Sequence, residues 1–197
     1  MNNIISTQSI IKNAKYFSDV SDFFGAFEDL WAKVRGQILK LETRQTYSEP
    51  GNESYEALQR GDFALALKLL PKIRSEDDEL YRVLAEKKID FIRCRPIIRP
   101  ISNYLKWEFE CYKLNELKGE RIYFTEKSEI FDKYALHDFM VFDRFGAMVH
   151  DYDENGKIKG GWAIRDDSSI DSLIILFSII KASSVHFSKF SLSDVNN

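Results

Sequence analysis

Two arginines and one glutamate are the strongest candidates for a binding site in this sequence. Arg93 and Arg95 lie two positions apart in a short apolar segment, so on a β-strand their guanidinium groups would point to the same face. Glu108 interrupts the apolar face of a helix that is predicted to follow. A carboxylate that faces a core must be paired, protonated or open to a cleft, because burying it alone is costly. We therefore predict that Glu108 forms a hydrogen-bonded pair with Arg93 or Arg95.

This charged group has two interpretations. In the functional one, the two guanidinium groups bind a small anion, because paired guanidinium groups bind planar oxyanions well. In the structural one, Arg93, Arg95 and Glu108 neutralise one another and the neighbouring basic residues are solvated. The pattern favours the structural ion pair and leaves the anion site as the alternative.

Further polar side chains are predicted to lie near this group. Tyr104 is one helical turn before Glu108 and Asn115 is two turns after it, on the same helix face. An early strand could contribute Arg44 and Tyr47. The predicted ligand-binding residues are therefore Arg44, Tyr47, Arg93, Arg95, Tyr104, Glu108 and Asn115.

The histidines give weaker signals. His137 begins an apolar strand and Asp143 ends it, about 20 Å away if the strand is extended, so the two cannot act on one atom. If the protein is an enzyme, Glu108 or His137 is the candidate general acid or base. His150 could line a pocket, but a structural role is the simpler interpretation.

The usual catalytic and cofactor motifs are absent from the sequence. It contains no G-x-x-x-x-G-K-[ST] loop, G-x-G-x-x-G fingerprint, H-E-x-x-H helix or G-x-S-x-G elbow. The two cysteines, Cys94 and Cys111, form no C-x-x-C pair and lie in apolar segments, where reduced thiols behave as small hydrophobic groups. We expect no cofactor and no metal, and the missing motifs favour binding over catalysis.

Charge and hydropathy limit the partners. The chain has 28 basic and 31 acidic residues among 197, for a net charge of −3, so sequence-specific DNA binding is not expected. The N-terminus has no signal-peptide pattern, and the most apolar run, residues 170–180, is about half as long as a membrane span. We therefore expect a cytoplasmic protein with no membrane partner.

Hydrophobic periodicity predicts alternating helices and strands. Helices are expected from Ser21 or Asp22 to the break at Gly36, within 53–88 with Ser75 as a cap, and over 102–118, 129–136 and 169–183. Strands are expected over 38–43, 89–94, 121–125, 138–143, 147–152 and 158–164. This order predicts an α/β (α+β) fold: a mixed sheet with a late antiparallel hairpin, covered by helices. The aromatic stripe Phe23, Phe24, Phe27 and Trp31 is expected in the core.

The sequence also predicts which residues of the two strands of the late hairpin pair. Asn155-Gly156 is a strong signal for a two-residue turn, which would set Val149 opposite Trp162 and His150 opposite Gly161. Ile158 would then share the face of Val149. For the whole chain we expect a helical N-terminal extension over 1–20, one α/β domain over 21–185 and a C-terminal tail over 186–197.

Several motifs together resemble a known family. They are, in order, 41-LETRQTY-47, 93-RCR-95, 100-PISNYLKWE-108, Asn115 with Gly119-Glu120, 137-HDFMVFD-143 and 152-YDENG-156. Their order and spacing resemble domain of unknown function family 6879, a bacterial and mainly actinomycete family whose members often adjoin helix-turn-helix regulators. The late strands also resemble a phospholipase-D-type domain without its catalytic motif. These resemblances imply a sensor or binding module.

The sequence leads to one main hypothesis and two alternatives. The main hypothesis is a non-catalytic binding or regulatory module that recognises a small anionic ligand or a protein partner. The first alternative is an enzyme that acts on a small anionic or nucleotide-like substrate by general acid/base chemistry. The second is an effector or interaction protein whose aromatic N-terminal helices bind a partner.

Overall fold

The computed structural model describes residues 6–12, 14–126 and 136–190. The strands are β1 (Lys15–Phe17), β2 (Gln37–Leu41), β3 (Asp90–Pro96), β4 (Arg121–Thr125), β5 (Phe139–Phe142), β6 (Gly146–Tyr152), β7 (Ile158–Ile164) and β8 (Val185–His186). The helices are α1 (Thr7–Ile11), α2 (Val20–Lys33), α3 (Glu53–Gln59), α4 (Phe63–Ser75), α5 (Asp78–Lys87), α6 (Asn103–Leu117) and α7 (Asp167–Ala182).

The strands form one eight-stranded mixed sheet in the order β1-β7-β6-β5-β2-β3-β4-β8. The pairs β2–β3 and β3–β4 are parallel, whereas β2 pairs with β5 in the antiparallel direction. Helices lie between the parallel strands in sequence, as such crossovers require. The predicted α/β fold, with a mixed sheet and a late antiparallel hairpin, is confirmed.

Helices cover both faces of the sheet, and strand alternation assigns each side chain to one of them. On the first face, Leu39 and Leu41 pack in a core with α7 residues such as Leu173 and Phe177. On the second face, Ile38 packs in a separate core with α2 and α5. The helices α3, α4 and α6 pack together beside α5 through a third cluster around Trp107. Lys40 lies between Leu39 and Leu41, so it points to the second face.

The late hairpin has the predicted register through most of its length. Val149 pairs with Trp162 and His150 with Gly161, as expected from the turn signal. The loop is wider than the predicted two residues, because Asp153 N donates to Lys157 O and the Asp153 side chain accepts from Lys157 N. An irregularity after Asp151 absorbs the difference. Ile158 therefore packs on the α2 face, and its predicted position on the same face as Val149 is wrong.

Capping residues explain where the main helices begin. The Ser102 side chain accepts from Leu105 N at the start of α6, as predicted. Asp19, slightly earlier than predicted, caps α2 by accepting from Ser21 N and Asp22 N. Ser75 is not a cap: it is the last residue of α4, which contains Pro71, and α5 begins after Asp77.

The chain ends add to the sheet and its core. Residues 1–20 were expected to be helical, but Lys15–Phe17 forms the edge strand β1, in which Tyr16 pairs with Trp162. At the other end, the predicted tail from 186 includes part of β8 and Phe187, which packs against the α6–β4 core. Its aromatic residues supply apolar surface that a solvated tail lacks. The helix expected over 129–136 lies, except for its last residue, outside the described residues.

Candidate ligand-binding cavity

A cavity of about 430 Å³ lies on the second face of the sheet. Strands β2, β3, β5 and β6 form its floor, α2 forms one wall, and α4, α5 and α6 form the other. We call it the sheet cavity. Its apolar lining residues are Phe23, Phe24, Phe27, Trp31, Ile38, Leu80, Phe91, Met140 and Met148. Its polar lining residues are Lys40, Glu42, Tyr47, Glu49, Arg74, Asp77, Tyr81, Arg93, Tyr104, Glu108, Asn115, His150 and Tyr152.

Glu42 organises the charges of the floor. It follows β2 and is 5% exposed, and its carboxylate forms ion pairs with Lys40, Arg93 and Arg95. Arg93 also donates through Nε to Glu120, and Tyr81 donates to the same carboxylate. These cations hold the pKa of the Glu42 carboxyl well below its ordinary value despite burial.

Arg95 lies beneath the cavity rather than in it. Its guanidinium group is fully buried, 3.1 Å from Glu42 Oε2, and it donates through Nη2 to the backbone oxygen of Arg44 at 2.8 Å. The ring of Tyr47 lies over it at 5.1 Å. Arg93 and Arg95 therefore point to the same face, as predicted, but their charges are already used within the protein.

Glu108 lies on the α6 wall with few partners. Its Oε1 is 3.9 Å from Arg95 Nη1, which is an ion-pair distance but too long for a hydrogen bond. The predicted hydrogen-bonded pair with an arginine is therefore wrong, because Glu42 holds both guanidinium groups. Burial, together with the charge of Glu49, raises the Glu108 pKa from 4.5 to about 7.

Asp138 ties the mouth of the cavity together. Its carboxylate accepts from Thr43 N at 2.7 Å, from Tyr152 OH at 3.0 Å and from Tyr47 OH. Burial and the Asp138 charge raise the pKa of both tyrosines, so they remain protonated donors. The loop after β2 is thereby fixed against the end of β6, which positions Tyr47 and Tyr152 on the lining.

The α2 wall is aromatic and only partly covered. Phe23 is 1% exposed, but Phe24 is 46% exposed, and Phe27 and Trp31 are half-buried. The rings of Phe27 and Trp31 are nearly parallel, with an interplanar angle of 9° and centroids 6.2 Å apart. The expected core role is thus correct for Phe23, and Phe27 and Trp31 pack against the same core while also lining the cavity, whereas Phe24 is exposed.

Three lining side chains carry a buried polar atom that has no hydrogen-bond partner among the described residues. They are Arg74 at Nε, Asn115 at Oδ1 and His150 at Nδ1. Leaving such groups unpaired costs free energy, and a bound ligand or water removes that cost. Burial lowers the pKa of His150, so this ring is neutral at pH 7.

The structure brings five of the seven predicted ligand-binding residues together. Tyr47, Arg93, Tyr104, Glu108 and Asn115 line the cavity, and the last four approach it from β3 and α6.

The other predicted residues lie elsewhere. Arg95 lies beneath the floor, and Arg44 packs 5.5 Å from the Tyr152 ring, outside the lining. His137, the alternative acid or base, hydrogen-bonds to Thr7 and packs near Trp162 on the α7 face. His137 and Glu108 therefore cannot act on one substrate in this cavity.

Sequence reasoning missed Lys40, Glu42 and Arg74 and gave His150 too little weight. A signal was available for two of them, because Ile38, Lys40 and Glu42 alternate with the leucines of β2 and must share its second face. His150 shares that face by the same rule. Nothing in the local sequence of α4 distinguishes Arg74, which reaches the cavity only through the packing of α4 on α6.

Within residues 6–12, 14–126 and 136–190, no group of three or more His, Cys, Asp or Glu side chains could hold a metal ion. No helix in the same ranges is both long and apolar enough to cross a bilayer. Cys94 and Cys111 are free and buried.

Comparison with known proteins identifies a family but no function. The sequence model described as "Domain of unknown function (DUF6879)" matches residues 25–192. No curated protein sequence matches the chain. Among solved structures, the chain is similar to TrmBL2, described as an archaeal chromatin protein that shows a novel mode of DNA binding, with 8% identity and a TM-score of 0.48. The similarity covers 91% of this chain and 55% of the TrmBL2 chain, so the chain spans about half of that length.

Proposed function

The chain belongs to the family described as domain of unknown function DUF6879, and we propose that it is a binding or regulatory module that recognises a small anionic ligand in the sheet cavity. The single observation that carries this proposal is the spare donor capacity of two cavity cations. Lys40 Nζ contacts one carboxylate, that of Glu42, at 2.9 Å. Arg74 pairs with Asp77 at 3.2 Å, and its buried Nε has no partner among the described residues.

The cavity carboxylates have less capacity to spare. Glu42 is surrounded by three cations, and Glu49 accepts from Tyr104 OH and Asn52 Nδ2. Glu108 is about half protonated at pH 7, since its pKa is about 7. An anion that meets Lys40 and Arg74 thus meets carboxylates whose charge is offset by cations at Glu42 and Asp77 and reduced at Glu108 by its raised pKa.

The size and lining of the cavity also support a small molecule. Ligand sites are usually concave, largely apolar and equipped with a few convergent polar groups, and about 300–1,000 Å³ is their usual size. The sheet cavity fits this description. A protein partner would instead bury a larger patch, about 800 Å² on each chain.

The expected surroundings complete the proposal. Two free cysteines and no disulfide among the described residues suit a reducing compartment, and we propose the cytoplasm. A net charge of −3 supports the expectation that this chain does not select DNA sequences.

A thermal-shift screen tests the proposal. The purified protein is heated with a panel of small carboxylates, phosphates and sulfates, and with neutral and cationic analogues of each. We expect an anion to raise the melting temperature, because a ligand that binds only the native state stabilises it by mass action. Lys40→Gln should abolish the shift, whereas Lys68→Gln, an exposed lysine on α4 outside the lining, should preserve it. Stabilisation by cations alone, or an equal shift in Lys40→Gln, would contradict the proposal.

A second candidate function is catalysis by Glu108 on the same anionic ligand. The observation that favours it is a cavity carboxyl with a pKa of about 7, the range in which general acids and bases are most effective. Incubating the protein with a stabilising ligand and analysing the mixture by mass spectrometry tests it. Turnover that Glu108→Gln abolishes while binding persists would support catalysis, and an unchanged ligand would support the binding module.

A further inference from the structure

We propose that the ligand of the sheet cavity is an aromatic acid, whose planar ring packs on the α2 wall while its anionic group lies between Lys40 and Arg74. This inference rests on the proposed anion-binding function and specifies the chemical class of the ligand. It follows from the shape of the apolar half of the cavity, from the distance between the two halves and from the placement of the charges.

The apolar half is lined by aromatic rings and thioethers. Phe27 and Trp31 present nearly parallel rings, and Phe24 adds a ring that is 46% exposed. On the floor opposite them lie Met140 and Met148. Aromatic rings pair favourably in offset or edge-to-face arrangements, and methionine sulfur contacts ring edges favourably. A planar ring therefore gains aromatic and thioether contacts here.

The apolar half is short along the strand direction. Ile38 and Lys40 are two residues apart on β2, which corresponds to about 7 Å. Beyond Ile38 the strand ends, and Asp143 closes that end by accepting from Gly36 N at 3.0 Å and Gln37 N at 2.6 Å. A one- or two-ring system fits this depth along β2.

The charges place the anionic group at the boundary of the two halves. Lys40 stands directly beyond Ile38 on the same face of β2, and its side chain is 26% exposed. The Arg74 side chain is 22% exposed and approaches from the α4 wall. Lys40 pairs with Met140 in the register of β2 and β5, so an anionic group beside Lys40 adjoins the apolar half.

Isothermal titration calorimetry with four probes tests the inference on the full chain. Indole-3-acetate combines ring and anion, indole is the neutral ring, tryptamine is the cationic ring, and octanoate is an anion without a ring. We expect indole-3-acetate to bind at least about ten-fold more tightly than each of the other three.

Variants then locate the two contacts. Lys40→Gln and Arg74→Gln should each weaken indole-3-acetate binding by about ten-fold or more, and Trp31→Leu should do the same through the ring. Lys68→Gln and Arg60→Gln, both exposed and outside the lining, should bind like the unmodified protein. Circular dichroism shows whether each variant is folded. If Lys40→Gln does not fold, Arg74→Gln provides the test of the charge contact.

Each other outcome overturns the inference in a distinguishable way. If tryptamine binds at least as tightly as indole-3-acetate, the anionic assignment is wrong, and the proposed function fails with it. If octanoate binds more tightly, or if other anions stabilise the protein but indole-3-acetate, benzoate and phenylacetate all fail to bind, the aromatic assignment is wrong and the proposed function stands. Equal binding by the charge variants and the controls would place the ligand outside this cavity.

Discussion

Glu108 Oε1 lies 3.9 Å from Arg95 Nη1, while the same guanidinium nitrogen lies 3.1 Å from Glu42 Oε2. The arginine is therefore held by Glu42, and Glu108 is left on the cavity wall with its charge poorly compensated. Burial and the charge of Glu49 therefore outweigh the two nearby arginines and raise the Glu108 pKa to about 7. The two carboxylates thus differ: Glu42 is ion-paired with the cations of the floor, and Glu108 lines the cavity.

The first prediction concerns the pH dependence of stability. A carboxyl whose pKa rises from 4.5 to about 7 on folding keeps its proton in the native state after the unfolded chain has released it. The free energy of unfolding should therefore fall as the pH rises through this interval, by about 1.4 kcal/mol per pH unit for this one group.

Urea unfolding of the protein and of Glu108→Gln, at several pH values between 4.5 and 7, isolates that contribution. As the pH increases, Glu108→Gln should become more stable relative to the unmodified protein. A difference that is constant across the interval would show that Glu108 has an ordinary pKa.

The second prediction concerns the floor. Glu42→Gln removes the negative charge shared by Lys40, Arg93 and Arg95, and it leaves two buried guanidinium groups undercompensated. We expect a loss of about 3–5 kcal/mol in the free energy of unfolding, measured in urea.

The matched control is Glu79→Gln on α5. Glu79 pairs with Arg82, but both side chains are more than half exposed, so the loss in this variant should be far smaller than in Glu42→Gln. Similar losses in the two variants would mean that the Glu42 ion pairs are as weak as surface pairs.

The alternation of side chains along a strand shows how much of the site the sequence could predict. It correctly placed Arg93 and Arg95 on one face and Cys94 on the other, and it applies equally to Lys40 and His150. Periodicity also predicted α6, β4 and the hairpin register, because each is determined by local capping, alternation or turn chemistry. Partner choice was not predictable in this way, because Glu42 meets Arg95 only through the pairing of β2 with β3.

The third prediction concerns the approach of α2 to the sheet. Gly161 faces Phe23, and a β-carbon there would lie 2.6 Å from Phe23 Cε2 and 2.2 Å from Val149 O. Gly161→Ala should therefore cost about 2 kcal/mol or more by forcing the helix and strand apart.

Gly25→Ala on α2 is the control for this substitution. A β-carbon at Gly25 meets no atom within 4 Å, and alanine is the better helix former, so this variant should gain about 1 kcal/mol. Thermal unfolding of both variants should move in opposite directions. A neutral Gly161→Ala would mean that the α2 wall does not pack closely on β7.

The fourth prediction concerns the mouth of the cavity. The Asp138 carboxylate accepts hydrogen bonds from Thr43, Tyr47 and Tyr152. In Asp138→Asn, an NH₂ group replaces one of its two oxygens, so a donor faces one or more of these donors. We expect a loss of about 2 kcal/mol and faster hydrogen exchange at the Thr43 amide.

Asp62→Asn is the matched control, because Asp62 caps α4 through Leu65 N and asparagine caps helices equally well. Its stability and its exchange at Thr43 should remain unchanged. Unchanged exchange at Thr43 in Asp138→Asn would indicate that the loop after β2 is held by other contacts.

The aromatic wall shows why the cavity itself could not be predicted. The spacing of Phe23, Phe27 and Trp31 on α2 is the spacing of a core-facing helix, and sequence alone cannot tell a filled core from an unfilled one. The opening lies between α2, which packs over β5, β6 and β7, and α6, which packs over β4. That separation depends on the packing of several helices, which no local pattern encodes.

The central claim, that the ligand of this protein binds in the sheet cavity, is tested most directly by a crystal structure of the complex with the strongest ligand from the thermal-shift screen. We predict ligand density between α2 and α6, with the anionic group in contact with Lys40 Nζ and the ring against Trp31. Density on the α7 face, or on the outer surface with the cavity unoccupied by ligand, would contradict the account.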